Sequence, residues 1–328
     1  MGTVDQIVGQ TPLIYLKKLS QITGNRIYGK AEFLNPGGSI KDRTALGLIQ
    51  YYEKSGQLKP GMTLYEGTAG NTGIGLSLLA KSRGYACHIV MPDNQSQEKY
   101  AFLKALGATL TLVKPVPFAN PNHFYHTAHA LAKADPNGIW MDQFENLGNF
   151  EIHHSTTGPE IFSQLKGKVD FFGCAAGTGG TIGGVTQFLK SKNQNTQCYL
   201  FDPKGSGLFH YFHHKEIKSE GSSVTEGIGI MRLTENFKKS KLDGAYSIDD
   251  QSMISMLYYL AKEEGLFVGT SAALNVFGTF QYAIENKGKG LNCVTILCDG
   301  GARYQSRVLD PEWLKEKGLD PTSPLPLG

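Results

Sequence analysis

The chain has 328 residues, 40% of them hydrophobic and 19% charged, with a formal net charge of +3. That length exceeds the usual single domain, and the small charge, with no basic stripe among aromatics, excludes a nucleic-acid partner. No apolar run approaches the roughly 20 residues that span a bilayer. Residues 1–13 carry no secretory pattern, and the five cysteines form no C-x-x-C, so a cytoplasmic chain with buried thiols is expected.

In chain order, β-rich runs fall at 26–33, 63–66, 87–91, 109–113 and 139–142, then at 169–174, 198–201, 245–248 and 293–298. Helical patterns alternate with them at 41–55, 71–83, 95–106 and 150–165, and later at 182–192, 250–264 and 272–286. This alternation predicts an α/β architecture of mostly parallel sheets covered by helices on both faces. The run VDFFGCA at 169–175 reads as a strand buried on both faces. Two sheets, divided near residue 145, are expected. Residues 203–224 lack periodicity and read as a long mobile loop, and the C-terminal PTSPLPLG as a frayed tail.

Three segments carry chemistry. In Asn35-Pro36-Gly37-Gly38-Ser39-Ile40-Lys41-Asp42-Arg43, a turn leads to a helix start with Ser39 as the expected N-cap. Lys41 then falls in the first turn, near the positive end of the helix dipole, where an uncharged amine is favoured; a solvated surface lysine is the plainer alternative. In Glu66-Gly67-Thr68-Ala69-Gly70-Asn71-Thr72-Gly73, a strand gives way to small and hydroxyl residues before a helix. Such a loop can hold a carboxylate, or it can be a tight βα turn. Gly177-Thr178-Gly179-Gly180-Thr181, between a strand and a helix, makes an N–H-rich concavity suited to phosphate. It contains no G-x-x-x-x-G-K-[ST], and G-x-G-x-x-G fails at Ile182. Asp202, ending the next strand, keeps a dinucleotide site as the competing reading.

Histidines at 123, 126 and 129 are spaced around a helix rather than along one face. No cysteine or carboxylate pattern completes a site with them, with His153-His154, or with His210, His213 and His214, so no metal is expected.

In order and spacing, NPGGSIKDR, EGTAGNTGIGL, QFEN followed by TTGPEI, GTGGT and EGIG resemble one family. It is the cysteine synthase and cystathionine β-synthase branch of the pyridoxal 5′-phosphate (PLP) enzymes related to the tryptophan synthase β-subunit. The resemblance implies two three-layer α/β domains with PLP in the cleft between them, and a homodimer. Residues 1–12 and 35–145 would form a smaller mobile domain, 13–34 and 146–315 a larger one, and 316–328 a tail. Lys41 resembles the Schiff-base lysine that later shuttles the proton, and Asn71 the residue bonded to the cofactor's 3′-oxygen. Thr68, Gly70, Asn71 and Thr72 match the loop that closes on the substrate carboxylate, with Gln143 as its partner from the other domain. Gly177, Thr178, Gly179, Gly180 and Thr181 match the phosphate cup, and Gly227 the segment facing the reactive carbons. His153 and His154 are expected near the domain junction.

Three departures bear on the substrate. Ala69 stands where relatives carry serine, which removes a hydroxyl donor. Aligning Arg303-Tyr304 places Asp299 where cysteine synthases carry the serine that bonds the pyridine nitrogen, with Cys298 as the adjacent alternative. A carboxylate there would keep the nitrogen protonated. Glu226 replaces the usual glutamine; it would assist departure of a hydroxyl, position water, or serve as a salt-bridge partner. The expected activity is cysteine synthase, joining O-acetyl-L-serine and sulfide. The alternatives are serine–thiol condensation, cysteine desulfhydration and serine/threonine deamination; more remote are an NAD-dependent oxidoreductase and a non-catalytic relative. The expected partners are a small amino acid and a sulfide or thiol, with neither nucleic acid nor membrane.

Overall fold

The structure, a computed structural model, describes residues 3–95 and 97–325. It divides into two compact units, Met1–Gly9 with Asn35–Ile152, and Gln10–Leu34 with His153–Gly328. The strands are β1 (Leu13–Tyr15), β2 (Arg26–Ala31), β3 (Thr63–Gly67), β4 (Ala86–Pro92), β5 (Thr109–Val113), β6 (Gly138–Trp140), β7 (Phe171–Ala175), β8 (Gln197–Pro203), β9 (Gly244–Ile248) and β10 (Asn292–Leu297). The architecture is α/β with mostly parallel sheets, the class that the strand–helix alternation predicts.

In the first unit the sheet runs β5-β4-β3-β6, with every pair parallel. Its core gathers Leu48, Leu64, Leu79, Ile89 and Met91, all with almost no exposure. β3 is an inner strand, so Leu64, Tyr65, Glu66 and Gly67 are all buried. An inner parallel strand cannot alternate apolar and polar faces, and a charged residue there must find partners inside. Beyond its carboxyl end lie residues 68–70 and the Asn71–Arg83 helix.

The second unit's sheet runs β1-β2-β10-β7-β8-β9 and is parallel except for the antiparallel β1–β2 pair. Every residue of β10 and the first four of β7 are buried, as helices on both faces require. Buried Lys30 on β2 ion-pairs with Glu160 at 2.7 Å. The Thr270–Glu285 helix supplies Ala272, Val276 and Phe280 to this core, and Phe171 stacks on Tyr282 with ring centroids 3.8 Å apart.

Several expectations are corrected. The 203–224 stretch contains the Leu208–His214 helix. Asp202 Oδ2, from the end of β8, accepts the Phe209 N–H at 2.7 Å, a tertiary cap invisible to local periodicity. The C-terminal segment is not frayed where it is described: Leu319 and Leu325 pack on the second core, and Asp320 and Gln251 exchange hydrogen bonds. Pro326–Gly328 lie outside the described residues. The helix expected over 150–165 is broken by a π-helical turn, His153–Thr157, just before Pro159. Proline offers no N–H to the preceding turn, so the regular ladder cannot continue through it. A second π turn, Leu260–Glu264, ends the helix expected over 250–264.

The short edge strand β1 and the Phe124–Ala134 helix were not legible in the pattern. That helix carries the first histidine group. His129 stacks on Trp140, His126 Nε2 lies 2.7 Å from the Phe118 carbonyl, and His123 caps the helix by accepting the Tyr125 N–H. Among the described residues, no cluster of three or more His, Cys, Asp or Glu could hold a metal ion. No helix among them is long and apolar enough to cross a membrane.

Candidate active site

In the first unit, Lys41 is the first residue of the Lys41–Lys54 helix and is half-buried. The N-cap is Ile40 rather than Ser39, which stands one residue earlier. Ser39 still serves the helix start, because its Oγ accepts the Lys41 N–H at 3.2 Å. Asp42 Oδ2 accepts the Gly37 N–H at 2.5 Å, folding the Pro-Gly-Gly turn back onto the helix. The helix that begins at Asn71 packs against this one, with Gly75 lying against the Lys41 carbonyl.

The 68–72 loop is braced from within: the Gly70 N–H donates to Thr68 Oγ1 at 3.2 Å. Thr72 Oγ1 donates to Gln143 Oε1 at 2.6 Å. Gln143 therefore belongs to the same unit as Thr72, not to the other domain as expected. Its amide nitrogen donates to Glu66 Oε1 at 3.0 Å, and its backbone N–H to Glu66 Oε2 at 3.3 Å. Burial pushes the Glu66 carboxyl up to about 8, with the Asp142 carboxylate adding to the rise and the Gln143 bonds opposing it. Asn149 extends the network, donating to the Gln143 carbonyl at 2.8 Å and accepting from Thr44, three residues beyond Lys41, at 3.0 Å. Glu66, Asn149 and Thr44 were missed as site residues. Only the burial of a carboxylate on an apolar strand could have signalled Glu66.

In the second unit, Gly177, Thr178 and Gly179 link β7 to the Gly180–Lys192 helix. Gly179 has φ +86, and a Cβ on it would lie 2.5 Å from the Phe237 backbone nitrogen, so a glycine is required there. A Cβ on Gly177 would lie 2.4 Å from the Gly227 carbonyl, and the Gly229 N–H donates to the Ala176 carbonyl at 2.8 Å. The structure thus brings the EGIG segment against the glycine loop. Thr234 Oγ1 clamps the loop by donating to the Thr178 carbonyl at 2.7 Å. Buried His153 links Thr157 and Thr181, at 2.9 and 3.2 Å from its two ring nitrogens. A tight loop opening a 13-residue helix, with a threonine hydroxyl beside it, suits a phosphate dianion.

Asp299 is buried after β10. Its Oδ2 accepts the Tyr304 hydroxyl at 2.6 Å, and its carbonyl accepts the Gly269 N–H at 3.0 Å. Burial and this carboxylate push the Tyr304 hydroxyl well up. Half-buried Cys298 lies 3.4 Å from Asn275 Nδ2. Glu226 ion-pairs with Arg307, the kind of partner that its salt-bridge alternative requires. Buried Asp202 caps the Leu208–His214 helix from the end of β8.

Within the first unit a lysine opens a helix beside a threonine-rich loop, and within the second a glycine-rich loop opens another helix; each is a feature that could serve a phosphorylated cofactor or an anionic substrate. The comparisons with known proteins agree with a phosphorylated cofactor. Residues 4–299 match the pyridoxal-phosphate dependent enzyme family. The chain is 48% identical to "Cysteine synthase 1" of Neurospora crassa, over 95% of this chain and 84% of that protein. A hydrogen sulfide-producing enzyme from Fusobacterium nucleatum superposes with a TM-score of 0.85 at 31% identity, covering 93% of this chain and 98% of that one. An O-acetylserine dependent cystathionine beta-synthase from Helicobacter pylori gives 0.83 at 30% identity, covering 94% and 98%. The chain belongs to the pyridoxal-phosphate dependent enzymes, in the β-replacing cysteine synthase and cystathionine β-synthase branch.

Proposed function

We propose that this enzyme is a cysteine synthase, replacing the acetoxy group of O-acetyl-L-serine with sulfide to give L-cysteine and acetate. The observation that carries the reading is the 48% identity to a cysteine synthase along nearly the whole chain. Bound PLP supplies an electron sink for the charge left at the substrate α-carbon. Lys41 would hold the cofactor's aldehyde carbon through Nζ, and that amine would carry the α-proton away and return it. Asn71 would bond the 3′-oxygen, and residues 177–181 would anchor the phosphate through N–H groups and threonine hydroxyls. Asp299 would face the ring nitrogen and favour its protonated form.

Thr68, Gly70, Asn71 and Thr72 would orient the substrate carboxylate, with Gln143 behind Thr72. Gly227, whose missing side chain leaves room, would face the reacting carbons. The Arg307 pair supports a salt-bridge role for Glu226 beside that segment. The working unit is proposed to be a cytoplasmic homodimer.

Assaying product formation from O-acetylserine, O-phosphoserine and serine, each with sulfide, tests the substrate. Cysteine from O-acetylserine at the highest kcat/KM is the expected result; condensation from free serine, or net sulfide release from cysteine, would move the reading to the alternative reactions. Lys41→Ala protein is expected to lose the visible absorbance that borohydride abolishes in the parent. Retention of that absorbance would remove Lys41 from the cofactor.

A further inference from the structure

Glu66 occupies a place that burial alone disfavours, and Gln143 donates to both of its oxygens. Oε2 accepts the backbone N–H of Gln143, a donor that cannot rotate, while Oε1 accepts the side-chain amide nitrogen. The opposite end of that amide accepts the Thr72 hydroxyl. A carboxamide has one donating end and one accepting end, so the two contacts are tied together. With Glu66 ionised, the amide must turn its nitrogen to Glu66 and its oxygen to Thr72, and the Thr72 proton is committed to Gln143. With Glu66 protonated, Oε1–H donates to Gln143 Oε1, the amide inverts, and its nitrogen donates to Thr72 Oγ1. The Thr72 proton is then released to another acceptor.

We propose that Glu66 is a positioning residue that, through the Gln143 amide, decides whether Thr72 can donate its hydroxyl proton to a substrate carboxylate, so that the carboxylate binds together with a proton on Glu66. This rests on the reading of residues 68–72 as the carboxylate loop. The proton comes from solvent and goes to Glu66 Oε1, and no covalent bond to carbon changes. The groups around Glu66 are consistent with that transfer. Cys87 on β4 and Tyr52 on the Lys41–Lys54 helix are both pushed up to about 12 by burial and stay neutral. From the Phe124–Ala134 helix, Tyr125 donates to Asp142 at 3.0 Å, and Asp142 provides the negative charge that disfavours a second one on Glu66. His88 on β4 is oriented to Thr111 and stacked on Tyr65. Burial lowers its proton affinity, so it too stays neutral in this range.

The test measures binding of 3-hydroxypropanoate, which keeps the carboxylate of a serine and lacks its titrating amine. Calorimetry on the holoenzyme from pH 6.5 to 9.5, in two buffers of different ionisation heat, gives the affinity and the protons exchanged. The parent enzyme is expected to weaken by up to about tenfold per pH above 8 and to take up close to one proton per site there. In Glu66→Gln, the new carboxamide accepts the Gln143 N–H with its oxygen and donates to Gln143 Oε1 with its nitrogen. It therefore holds the inverted arrangement at every pH, and the variant should bind with flat affinity and without that proton.

Flat affinity and no proton uptake in the parent, with Thr72→Val still weakening binding, would overturn the role of Glu66 and leave the carboxylate loop standing. Binding by Thr72→Val as tight as the parent's would remove the loop reading, and the inference with it. Absence of proton uptake in the parent overturns the inference even if Glu66→Gln fails to fold.

Discussion

Replacing Glu66 by glutamine isolates the cost of a buried carboxyl, because the two side chains share a shape and differ in whether they ionise. In the unfolded chain the carboxyl releases its proton near the ordinary 4.5, whereas in the folded protein burial holds it until about 8. A raised folded-state value for an acid means that its contribution is fully present below 4.5. That contribution is lost progressively as pH rises, and the loss is complete above about 8. At about 1.4 kcal/mol per tenfold change in proton affinity, the rise from 4.5 to about 8 amounts to on the order of 5 kcal/mol. The side chain is fully buried, so solvent screening takes little from that figure. The assay is urea unfolding of parent and variant at closely spaced pH values from 4 to 9, since the difference between them cancels every other titrating group. The two should match near pH 4. The variant should gain steadily to roughly pH 8 and hold a constant advantage beyond it. A difference that stays flat across this range would refute the burial argument.

Other perturbations give separate readings. Gly179→Ala places a side chain at φ +86 and against Phe237, adding at least about 1–2 kcal/mol of backbone strain; equilibrium dialysis should find weakened PLP retention. Phe171→Ala empties the ring's place against Tyr282 in the second core and should cost about 3–5 kcal/mol in denaturant unfolding. Glu226→Gln breaks the ion pair with Arg307 between side chains that are 30% and 43% exposed, so stability should change by less than about 1 kcal/mol. A kcat loss of a hundredfold or more in that variant would instead give Glu226 a chemical task.

What the sequence discloses is local. The Asn71–Arg83 helix and β5 fall on the expected residues because capping, glycine stops and periodicity act over a few positions. Lys41 opens its helix for the same reason, one residue after the actual cap. What stayed hidden depends on partners far along the chain. Glu66 reads as the end of a strand until Gln143 is placed 77 residues away beside it. The hold of Thr234 on Thr178 and that of His153 on Thr181 are equally silent in any local window. The Leu208–His214 helix has no amphipathic period to reveal it, because its start is fixed by Asp202.

The pairing of β2 with β10 has a consequence for synthesis. Arg26 and Asn292 are bonded partners separated by 266 positions. A ribosome adding about 5–20 residues per second needs on the order of tens of seconds to cover that distance. Throughout that interval β2 has emerged while one of its edges lacks its permanent neighbour. Residues 35–152 complete their own sheet well before residue 292 is added. The nascent chain thus carries a finished unit and, at residues 26–31, a strand still waiting for its neighbour, so the second sheet closes only after residue 297 has been made.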